Sequence, residues 1–588
     1  MSDFIYSSLP KSHGKLAAHI QSIYHNDPPD VFEYHGEWGS LGVSRNLYNG
    51  FQPLETDDYI FVVIGGPVLC FQTNLFLTGN DPLAGTKAFF ERWQVGSIQC
   101  SEDLSGPFAV LVVDKLRQKI SCITDMMMFI PVYKYLQDGA LMLGTHVDAL
   151  ARASNEEKVL DLISATDFIL NDVVTYPYTM YQNIKQMHPA AEQGFAVNGG
   201  SNVQEFEPNI YWLPIEENPY PNIRDAAQDL REGLLEYVHR ITENMEQVAQ
   251  FISAGEDSRA VAGMIPQRLK RNAYIFLDFM NREGRIACKV AHVYGANFYP
   301  KFRHKEYYLD IFEAASELIG SGYQFTHAHT LGFYKSCVLD KFFGVFGGYM
   351  SDGLFKAMYI RKIKGQGFFP FIPQIYISGE CRSKPLINKG FKKEVLHEIS
   401  TRHRIQLERL QKIRTKTLHE WFAFWPATVK TDIPYYYANR RLFRTYEPFM
   451  CKQAVKLCAA APISWKLNRR LFNKAFRPCL KPSRWIFHSD GRLPYYPWWT
   501  NIPIQASIWF GRKIGYWTGI IKGNQGPWGD WEKIIGSKKW QNTIQSYANG
   551  FEEIKSIVLA KSVEELFYSQ KLNRTQKINF VQMIRFLS

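Results

Sequence analysis

The nine cysteines of this 588-residue sequence lack the spacings of a disulfide framework. No two of them stand as Cys-x-x-Cys, and their odd number argues against complete pairing. Free thiols persist in reducing compartments. The cysteine pattern therefore disfavours a disulfide-stapled fold and favours a reducing compartment.

Long hydrophobic runs are also missing. Residues 1–15 lack the apolar core of a signal peptide, and no uninterrupted apolar run is long enough to span a bilayer. Internal repeats and low-complexity segments are absent. Hydrophobic residues make up 46% and charged residues 21%, which is typical of globular proteins, and the length calls for at least two domains. We expect a cytoplasmic protein without a transmembrane segment.

The formal net charge of +12 attracts anions, such as ATP, an acidic sugar or peptide, nucleic acid or an anionic membrane surface. Net charge does not choose among these partners. An ordinary basic, solvated surface is an equal alternative.

Residues 1–205 show the pattern of a layered α+β domain. Short apolar runs bounded by turn residues predict strands, and two amphipathic stretches predict helices. Two sheets packed face to face would bury such strands. The predicted strands cover 59–64, 108–113 and 140–143, and the predicted helices cover 82–93 and 158–170.

A proline-punctuated linker over 206–222 separates this part from an α/β domain over 223–588. Strands and helices alternate after the linker, which indicates a parallel sheet with helices on its faces. Beyond residue 395 the sequence is largely helical. The predicted elements are a helix over 223–241, strand 248–252, a helix beginning near Ser258, strand 274–277 and helix 284–294.

The turn between strand 248–252 and the helix near Ser258 has the composition of an anion site. A strand that leads through small residues into a helix directs backbone N–H groups at one point. Gly255 allows close approach, Ser253 and Ser258 offer hydroxyls, and Asp257 is suited to a divalent cation. An ordinary strand–helix turn is the alternative.

The letters Ser253-Ala-Gly-Glu-Asp-Ser258 resemble the SGGxDS loop of ATP-pyrophosphatases. In that family the loop grips the pyrophosphate of ATP while the α-phosphate is transferred as AMP. The resemblance implies that Ser253, Ala254, Gly255, Asp257 and Ser258 bind ATP. Ala254 adds a methyl group and Glu256 a carboxylate where the family pattern differs.

Gly348-Tyr-Met-Ser-Asp-Gly-Leu-Phe355 is similar to the GxGxDELF segment of asparagine synthetases. The resemblance implies that Gly348 lies at the ATP site and that Asp352 shares Mg²⁺ with Asp257. Tyr349 stands where asparagine synthetases have glutamate. β-Lactam synthetases have GYGSD there and use the tyrosine in proton abstraction from an amine.

A tyrosine ordinarily has a pKa near ~10, so Tyr349 would need a partner or a lowered pKa to act as a base. Glu380 is the predicted partner. Simple packing of the Tyr349 ring is the alternative.

The N-terminal part resembles a class II glutamine amidotransferase domain. Four segments follow the family order: 104–110, 125–133, 143–150 and the connector at 179–189 with Tyr211-Trp212. The N-terminal cysteine nucleophile is replaced by Ser2, and the NGExYN segment by Gly65-Gly-Pro-Val-Leu69. A serine without a dedicated base is a weak nucleophile. We expect glutamine hydrolysis to be lost.

Near the C-terminus, Lys466–Phe472 resembles the family's K-x-x-LR helix. Relatives have a lysine in this region that stabilises the reacting intermediate. Lys481, Arg484 and Arg492 are candidates for its role, and Lys481 is the predicted catalytic residue. A solvated surface role is the alternative for each.

Two further signals are given structural roles. His327 and His329 would share one face of a strand, but a third metal ligand is not evident. The basic residues of 402–416 predict a helix with a solvated face, with nucleic-acid contact as the alternative.

The resemblance implies an ATP-dependent ligase that adenylates a carboxylate, releases pyrophosphate and joins the acyl group to an amine or ammonia, with ATP and Mg²⁺ as cofactors. The carboxylate belongs to a small molecule, a sugar acid or a peptide. The chain could pair with a second copy of itself or with a biosynthetic partner protein, and the sequence does not choose between them. The alternatives are a nucleic-acid-modifying ATP-pyrophosphatase, which the missing RNA-binding module disfavours, and a non-catalytic partner protein.

Overall fold

The computed structural model describes residues 3–25, 27–199, 202–361, 363, 369–377, 386–423, 425–426 and 432–588. Its strands are β1 (Phe4–Ser7), β2 (Val31–Gly36), β3 (Gly39–Ser44), β4 (Leu54–Glu55), β5 (Tyr59–Gly65), β6 (Val68–Leu69), β7 (Leu104–Ser105), β8 (Phe108–Asp114), β9 (Lys119–Thr124), β10 (Tyr133–Gln137), β11 (Ala140–Gly144), β12 (Ile184–Gln186), β13 (Ala191–Asn198), β14 (Asn202–Glu205), β15 (Asn209–Ile210), β16 (Gln247–Phe251), β17 (Lys270–Leu277), β18 (Asn297–Phe302), β19 (Val345–Phe346) and β20 (Thr445–Tyr446).

The α-helices are α1 (Lys15–Gln21), α2 (Ala84–Gln94), α3 (Cys100–Asp103), α4 (Val147–Ser154), α5 (Leu162–Asn171), α6 (Ile223–Thr242), α7 (Glu256–Met264), α8 (Arg282–Val293), α9 (Tyr307–Asp310), α10 (Phe312–Ile319), α11 (Ser351–Phe355), α12 (Lys393–Gln411), α13 (Leu418–Phe422), α14 (Asp432–Leu442), α15 (Lys452–Ala460), α16 (Ile463–Lys466), α17 (Arg470–Leu480), α18 (Trp498–Trp517), α19 (Trp531–Ile535), α20 (Lys538–Ser546), α21 (Asn549–Ile554), α22 (Val563–Phe567) and α23 (Arg574–Leu587).

Two antiparallel sheets form the N-terminal part. One has the order β12-β10-β11-β1-β3-β2, and the other β14-β13-β9-β8-β5-β4 with β15 paired to β13. Side chains of both sheets, among them Leu41 of the first and Val110 of the second, belong to one continuous buried core. The three predicted strands correspond to β5, β8 and β11, which confirms the layered α+β architecture of this part.

A five-stranded sheet with the order β18-β17-β16-β19-β20 forms the centre of the second part, and each neighbouring pair is parallel. The chain proceeds from β16 to β17 and β18 on one side, and then adds β19 and β20 on the other. The direction of winding reverses between β16 and β19. In open α/β sheets, ligands bind outside the carboxyl ends of the strands at such a switch point.

Helix α6 shows how local sequence builds this part. The Asn222 side chain accepts hydrogen bonds from the Arg224 and Asp225 amides and begins the helix. Apolar residues at helical spacing, including Leu230 and Leu234, are then buried. The helix predicted over 223–241 is confirmed. Helix α7 begins at Glu256, two residues earlier than predicted.

The two parts share a buried interface. Tyr48 Oη donates a hydrogen bond to the Thr445 carbonyl at 2.7 Å, and Trp425 Nε1 donates to the Met126 carbonyl at 3.0 Å. The segment predicted as a linker begins against the N-terminal sheet, because β15 pairs with β13. The domain limits at residues 205 and 222 stay predictions.

Two local predictions need correction. His327 lies in a 3-10 turn, Phe325–Ala328, with His329 just after it, and not on a strand. The helix predicted within 402–416 is α12, which ends at Gln411, and its basic face is partly packed: Arg402 Nη1 lies 2.8 Å from Asp161 Oδ2. Among the described residues, no helix has the length and hydropathy to cross a membrane.

Candidate functional site

The turn after β16 is held by its own serines. The Ser253 amide donates a hydrogen bond to Ser258 Oγ at 3.2 Å, and the Gly255 amide donates to Ser253 Oγ at 3.0 Å. The two serine hydroxyls lie 3.3 Å apart. This arrangement brings Ser253, Gly255 and Ser258 together at the N-terminus of α7, where the helix dipole favours an anion.

Ala254, in the same turn, is fully buried. Its methyl group is buried, and its amide donates a hydrogen bond to the buried Glu283 Oε1 at 2.7 Å. The buried Arg259 guanidinium donates to the Ala254 carbonyl at 3.0 Å. The added methyl group is therefore accommodated inside the protein, and both the amide and the carbonyl of Ala254 already have hydrogen-bond partners.

The segment after β19 packs directly on this turn. A Cβ on Gly348 would lie 3.1 Å from Asp257 Cβ, and one on Gly347 would lie 2.2 Å from Glu447 Oε1. Both glycines therefore permit contacts that a side chain would obstruct. Gly348, Asp257 and Asp352, which the sequence placed in one site, do converge.

Lys356 joins the acidic residues of the two segments. Its Nζ lies 3.0 Å from Asp352 Oδ1 and 3.3 Å from Glu256 Oε1, and it also contacts Asp257 Oδ1. Ser351 Oγ donates a hydrogen bond to Asp257 Oδ1. The Lys356 side chain is only 3% exposed, so its charge depends on these carboxylates for compensation.

Glu256 points into a basic cluster. Arg469 Nε donates a hydrogen bond to Glu256 Oε1 at 2.7 Å, and Arg492 Nη1 lies 3.4 Å from Oε2. Burial alone would raise the pKa of Glu256, but Arg492, Lys356 and Arg469 hold it well below its usual range. The Glu256 carboxylate, at which the loop departs from the family pattern, is thus compensated by three cationic side chains.

The remaining acids titrate differently. Burial raises the pKa of Asp257 to about 6, although Lys356 opposes the shift, and the charges of Asp352 and Glu256 add to it. The Lys356 ammonium holds the pKa of Asp352 below its ordinary value. Close charges therefore couple the two segments electrostatically.

These residues define an acidic trio and a basic trio, namely Glu256, Asp257 and Asp352 with Lys356, Arg469 and Arg492. Their formal charges cancel. Mg²⁺ prefers about six oxygen ligands at close range. The Nζ atom of Lys356 is in contact with one oxygen each of Asp257 and Asp352, so a Mg²⁺ ion between those two oxygens would have to displace the ammonium. The assignment of Mg²⁺ to Asp257 and Asp352 stays a prediction.

Tyr349 lies in an aromatic stack beside these charges. Its ring is stacked on Tyr435 with centroids 5.0 Å apart and planes at 4°, and Tyr435 is stacked in turn on Trp528. The Tyr349 amide donates a hydrogen bond to Glu447 Oε2 at 3.0 Å. Glu380 lies outside the described residues, so its pairing with Tyr349 stays a prediction.

The C-terminal basic candidates separate clearly. Arg492 is buried in the basic trio, whereas Lys481 and Arg484 are exposed and are not among the contacts of the acidic trio. Lys356 and Arg469 were missed by sequence reasoning. The spacing of Lys356, four residues after Asp352, was the signal that could have found it, because such residues are neighbours on a helix.

Cys70 is the cysteine next to the Gly65–Leu69 segment of the N-terminal part. Cys70 follows β6 and is half-buried, and burial raises the pKa of its thiol. Ser2 lies outside the described residues. Asp125 is buried and accepts hydrogen bonds from the Met127 and Phe129 amides at 3.0 Å each, so it shapes a turn.

Comparisons with known proteins agree with the resemblance. Residues 85–207 match the glutamine amidotransferase domain family. Over 268 residues the chain is 22% identical to "Asparagine synthetase [glutamine-hydrolyzing] 2" of Bacillus subtilis (strain 168), covering 41% of this chain and 34% of the relative. The match thus spans about a third of that relative's length. The resemblance to the asparagine synthetase superfamily, with a glutamine amidotransferase-like N-terminal domain, is confirmed.

Two solved structures are also similar. They are "Structure of the allosteric regulatory enzyme of purine biosynthesis" (10% identity, 51% of this chain and 80% of that chain, TM-score 0.22) and glutamine phosphoribosylpyrophosphate amidotransferase from B. subtilis complexed with ADP and GMP (9% identity, 51% and 81%, TM-score 0.20). Similarity at these scores carries no argument about function.

Proposed function

We propose that this asparagine synthetase-like chain is an ATP-dependent carbon–nitrogen ligase. It would adenylate a substrate carboxylate, release pyrophosphate, and join the acyl group to an amine or ammonia. One observation carries the proposal: the Ser253–Ser258 turn and the Gly348–Phe355 segment meet at the carboxyl ends of β16 and β19, where the parallel sheet reverses its winding.

The chemistry needs a good leaving group, because a carboxylate is a poor acyl donor. A carboxylate oxygen attacks the α-phosphorus of ATP, and the bond to pyrophosphate breaks. Nitrogen then attacks the acyl carbon, and AMP leaves with the bonding electron pair while the nitrogen loses a proton. The protein contributes position and charge.

The proposed roles follow the geometry. The pyrophosphate would bind at the N-terminus of α7. The hydroxyls of Ser253 and Ser258 and the first N–H groups of the helix would hold it there. ATP enters as its magnesium complex, which is the substrate. Tyr349 directly follows Gly348 and would take the proton of the attacking amine, which is the role that the resemblance to β-lactam synthetases implies.

Nitrogen would come from a free amine or ammonia. The loop at Gly65–Leu69 lacks the family's glutamine-pocket letters, and the nearby Cys70 thiol has a raised pKa. A small carboxylic acid, a sugar acid or a peptide side chain would supply the acyl group. The cytoplasm is the proposed location.

A second candidate is a non-catalytic asparagine synthetase-like partner protein. The observation that favours it is the engagement of groups that a nucleotide site keeps available. The Ala254 amide is bound by Glu283, and Lys356 contacts both Asp257 and Asp352.

One experiment separates the two. Purified protein is given ATP, Mg²⁺ and a panel of carboxylates and amines, and both nucleotide binding and pyrophosphate release are measured. The ligase proposal expects carboxylate-dependent release, reduced about tenfold or more in Ser258→Ala because a phosphate donor is lost. Ser507→Ala, on the exposed face of α18, is the matched control. Absence of nucleotide binding would contradict the ligase proposal and favour the non-catalytic alternative, and release stimulated by RNA would favour nucleic-acid modification.

A further inference from the structure

The strongest unassigned feature of the candidate site is a buried lysine between two carboxylates that the family resemblance makes metal ligands. We infer that the Lys356 ammonium takes the place of a divalent cation between Asp257 and Asp352. The inference deepens the proposed function, because it concerns the same site.

The Lys356 ammonium lies where a bridging cation would lie. The Lys356 ammonium contacts Asp257 Oδ1, lies 3.0 Å from Asp352 Oδ1, and reaches Glu256 Oε1 at 3.3 Å. These acids come from the two segments that face each other across the switch point. A cation that bridged the same oxygens would have to displace the ammonium.

The Lys356 side chain is also confined to this place by burial. The Lys356 side chain is 3% exposed, and its Nζ lies 4.6 Å from the centroid of the Phe472 ring. The Lys356 ammonium would lose these charge partners if it moved away, and its own side chain is too little exposed to be hydrated in their place. Lys356 is thus built into the site and is not a surface lysine that swings in.

The charges around Lys356 are already compensated by one another. The basic trio matches the acidic trio in formal charge, and Arg492 Nε also lies 2.7 Å from Asp490 Oδ2, so each charge of the site has a partner before any ion or nucleotide arrives. A divalent ion added beside the Lys356 ammonium would place two cations against the same carboxylate oxygens. Removing the ammonium would reverse this, because three carboxylates would then converge with only two guanidinium groups beside them. Clustered carboxylate oxygens are what Mn²⁺ and Mg²⁺ bind.

The test is a Mn²⁺ titration of nucleotide-free, full-length protein, followed by the electron paramagnetic resonance signal of free Mn²⁺. We expect wild type to leave Mn²⁺ free. Lys356→Ala should bind one equivalent, about tenfold or more tightly than wild type, because the oxygens are released as ligands. Lys335→Ala is the matched control: Lys335 also bridges two aspartates, Asp27 at 2.8 Å and Asp340 at 3.0 Å, but on an exposed surface.

Two results would overturn the inference. One is wild-type protein that binds one Mn²⁺ equivalent and loses it in Asp352→Asn. The other is folded Lys356→Ala that gains no Mn²⁺ affinity. If Lys356→Ala does not fold, the wild-type and Asp352→Asn titrations still decide, and Lys356→Gln provides a second uncharged variant. Since nucleotide is absent, failure of the ligase proposal shows only in pyrophosphate release and is distinguishable from failure here.

Discussion

Asp3 and Arg441 form a bidentate ion pair, with Arg441 Nε 2.9 Å from Asp3 Oδ2 and Nη2 2.9 Å from Oδ1, across 438 positions of the chain. Arg440 adds a third contact to the same carboxylate at 3.0 Å. Burial opposes ionisation of Asp3, but the two arginines hold its pKa well below the usual value. The first strand of the N-terminal part is thereby fixed to α14 of the second part.

Asp3→Asn should lower the free energy of unfolding by about 3–5 kcal/mol, because two buried guanidinium groups lose their counter-ion. Denaturant unfolding measures the effect. Asp30→Asn is the control, since the Asp30–Arg45 pair is exposed and 3.8 Å apart. Equal stability of Asp3→Asn and Asp30→Asn would show that the buried pair does not hold the parts together.

Asp257→Asn and Asp352→Asn should each lower ATP–pyrophosphate exchange by about 100-fold or more. Each change removes a negative charge that holds the Lys356 ammonium beside the phosphate turn. Exchange is measured with radiolabelled pyrophosphate, and circular dichroism checks the fold. Asp81→Asn, in an exposed loop of the N-terminal part, is the control. Near-normal exchange in either site variant would remove these carboxylates from the reaction.

Tyr349→Phe should leave adenylation nearly intact and slow amide formation by about 100- to 10,000-fold, the usual loss when one acid–base group is removed. Phenylalanine keeps the ring that is stacked on Tyr435, so the variant isolates the hydroxyl. AMP release would then exceed amide formation, because the acyl-adenylate hydrolyses while it waits. Wild-type amide formation would indicate packing only, and a parallel fall of both steps would indicate that Tyr349 shapes the nucleotide site.

Purified protein should release no glutamate from glutamine. The expected glutamine-pocket letters are replaced at Gly65–Leu69, and burial keeps the Cys70 thiol protonated. A coupled glutamate dehydrogenase assay measures release, and ammonium salts replace glutamine in the parallel ligase reaction. Steady glutamate production that survives Cys70→Ala would contradict the prediction and point to another nucleophile.

Because of Asp125, the free energy of unfolding should rise as the pH falls from about 7 to about 4. Burial raises its pKa to about 7, despite hydrogen bonds from the Phe129 and Ile130 amides, and an unfolded aspartate has a pKa near ~3.9. Between these values the folded state binds the extra proton, so protonation favours folding by up to about 1.4 kcal/mol per pH unit.

The Asp125 effect is isolated by comparing unfolding free energies of wild type and Asp125→Asn at pH 5 and pH 8. The unfolding free energy of wild type minus that of Asp125→Asn should be more positive at pH 5 than at pH 8. Asp138→Asn, in the exposed turn between β10 and β11, should track wild type. A difference that does not change with pH would mean that Asp125 does not titrate in this window.

Local sequence determined the elements that are made from contiguous residues. The apolar run at Tyr59–Gly65, the helix at Ile223–Thr242 and the serine-rich turn at Ser253–Ser258 were all predictable, because periodicity, end-capping and small residues act over a few positions. Strands β19 and β20 were not, since two residues in each carry no periodic signal and pairing within the sheet defines them.

Tertiary structure alone decided the chemistry around Glu256. Its partners Lys356, Arg469 and Arg492 come from segments that lie at least one hundred positions away, and no local pattern specifies which cations will meet a given carboxylate. Burial decided the rest, because a charge removed from water is stable only when opposite charges compensate it. The folded core therefore surrounds Glu256, at which the loop departs from the family pattern, with cationic side chains.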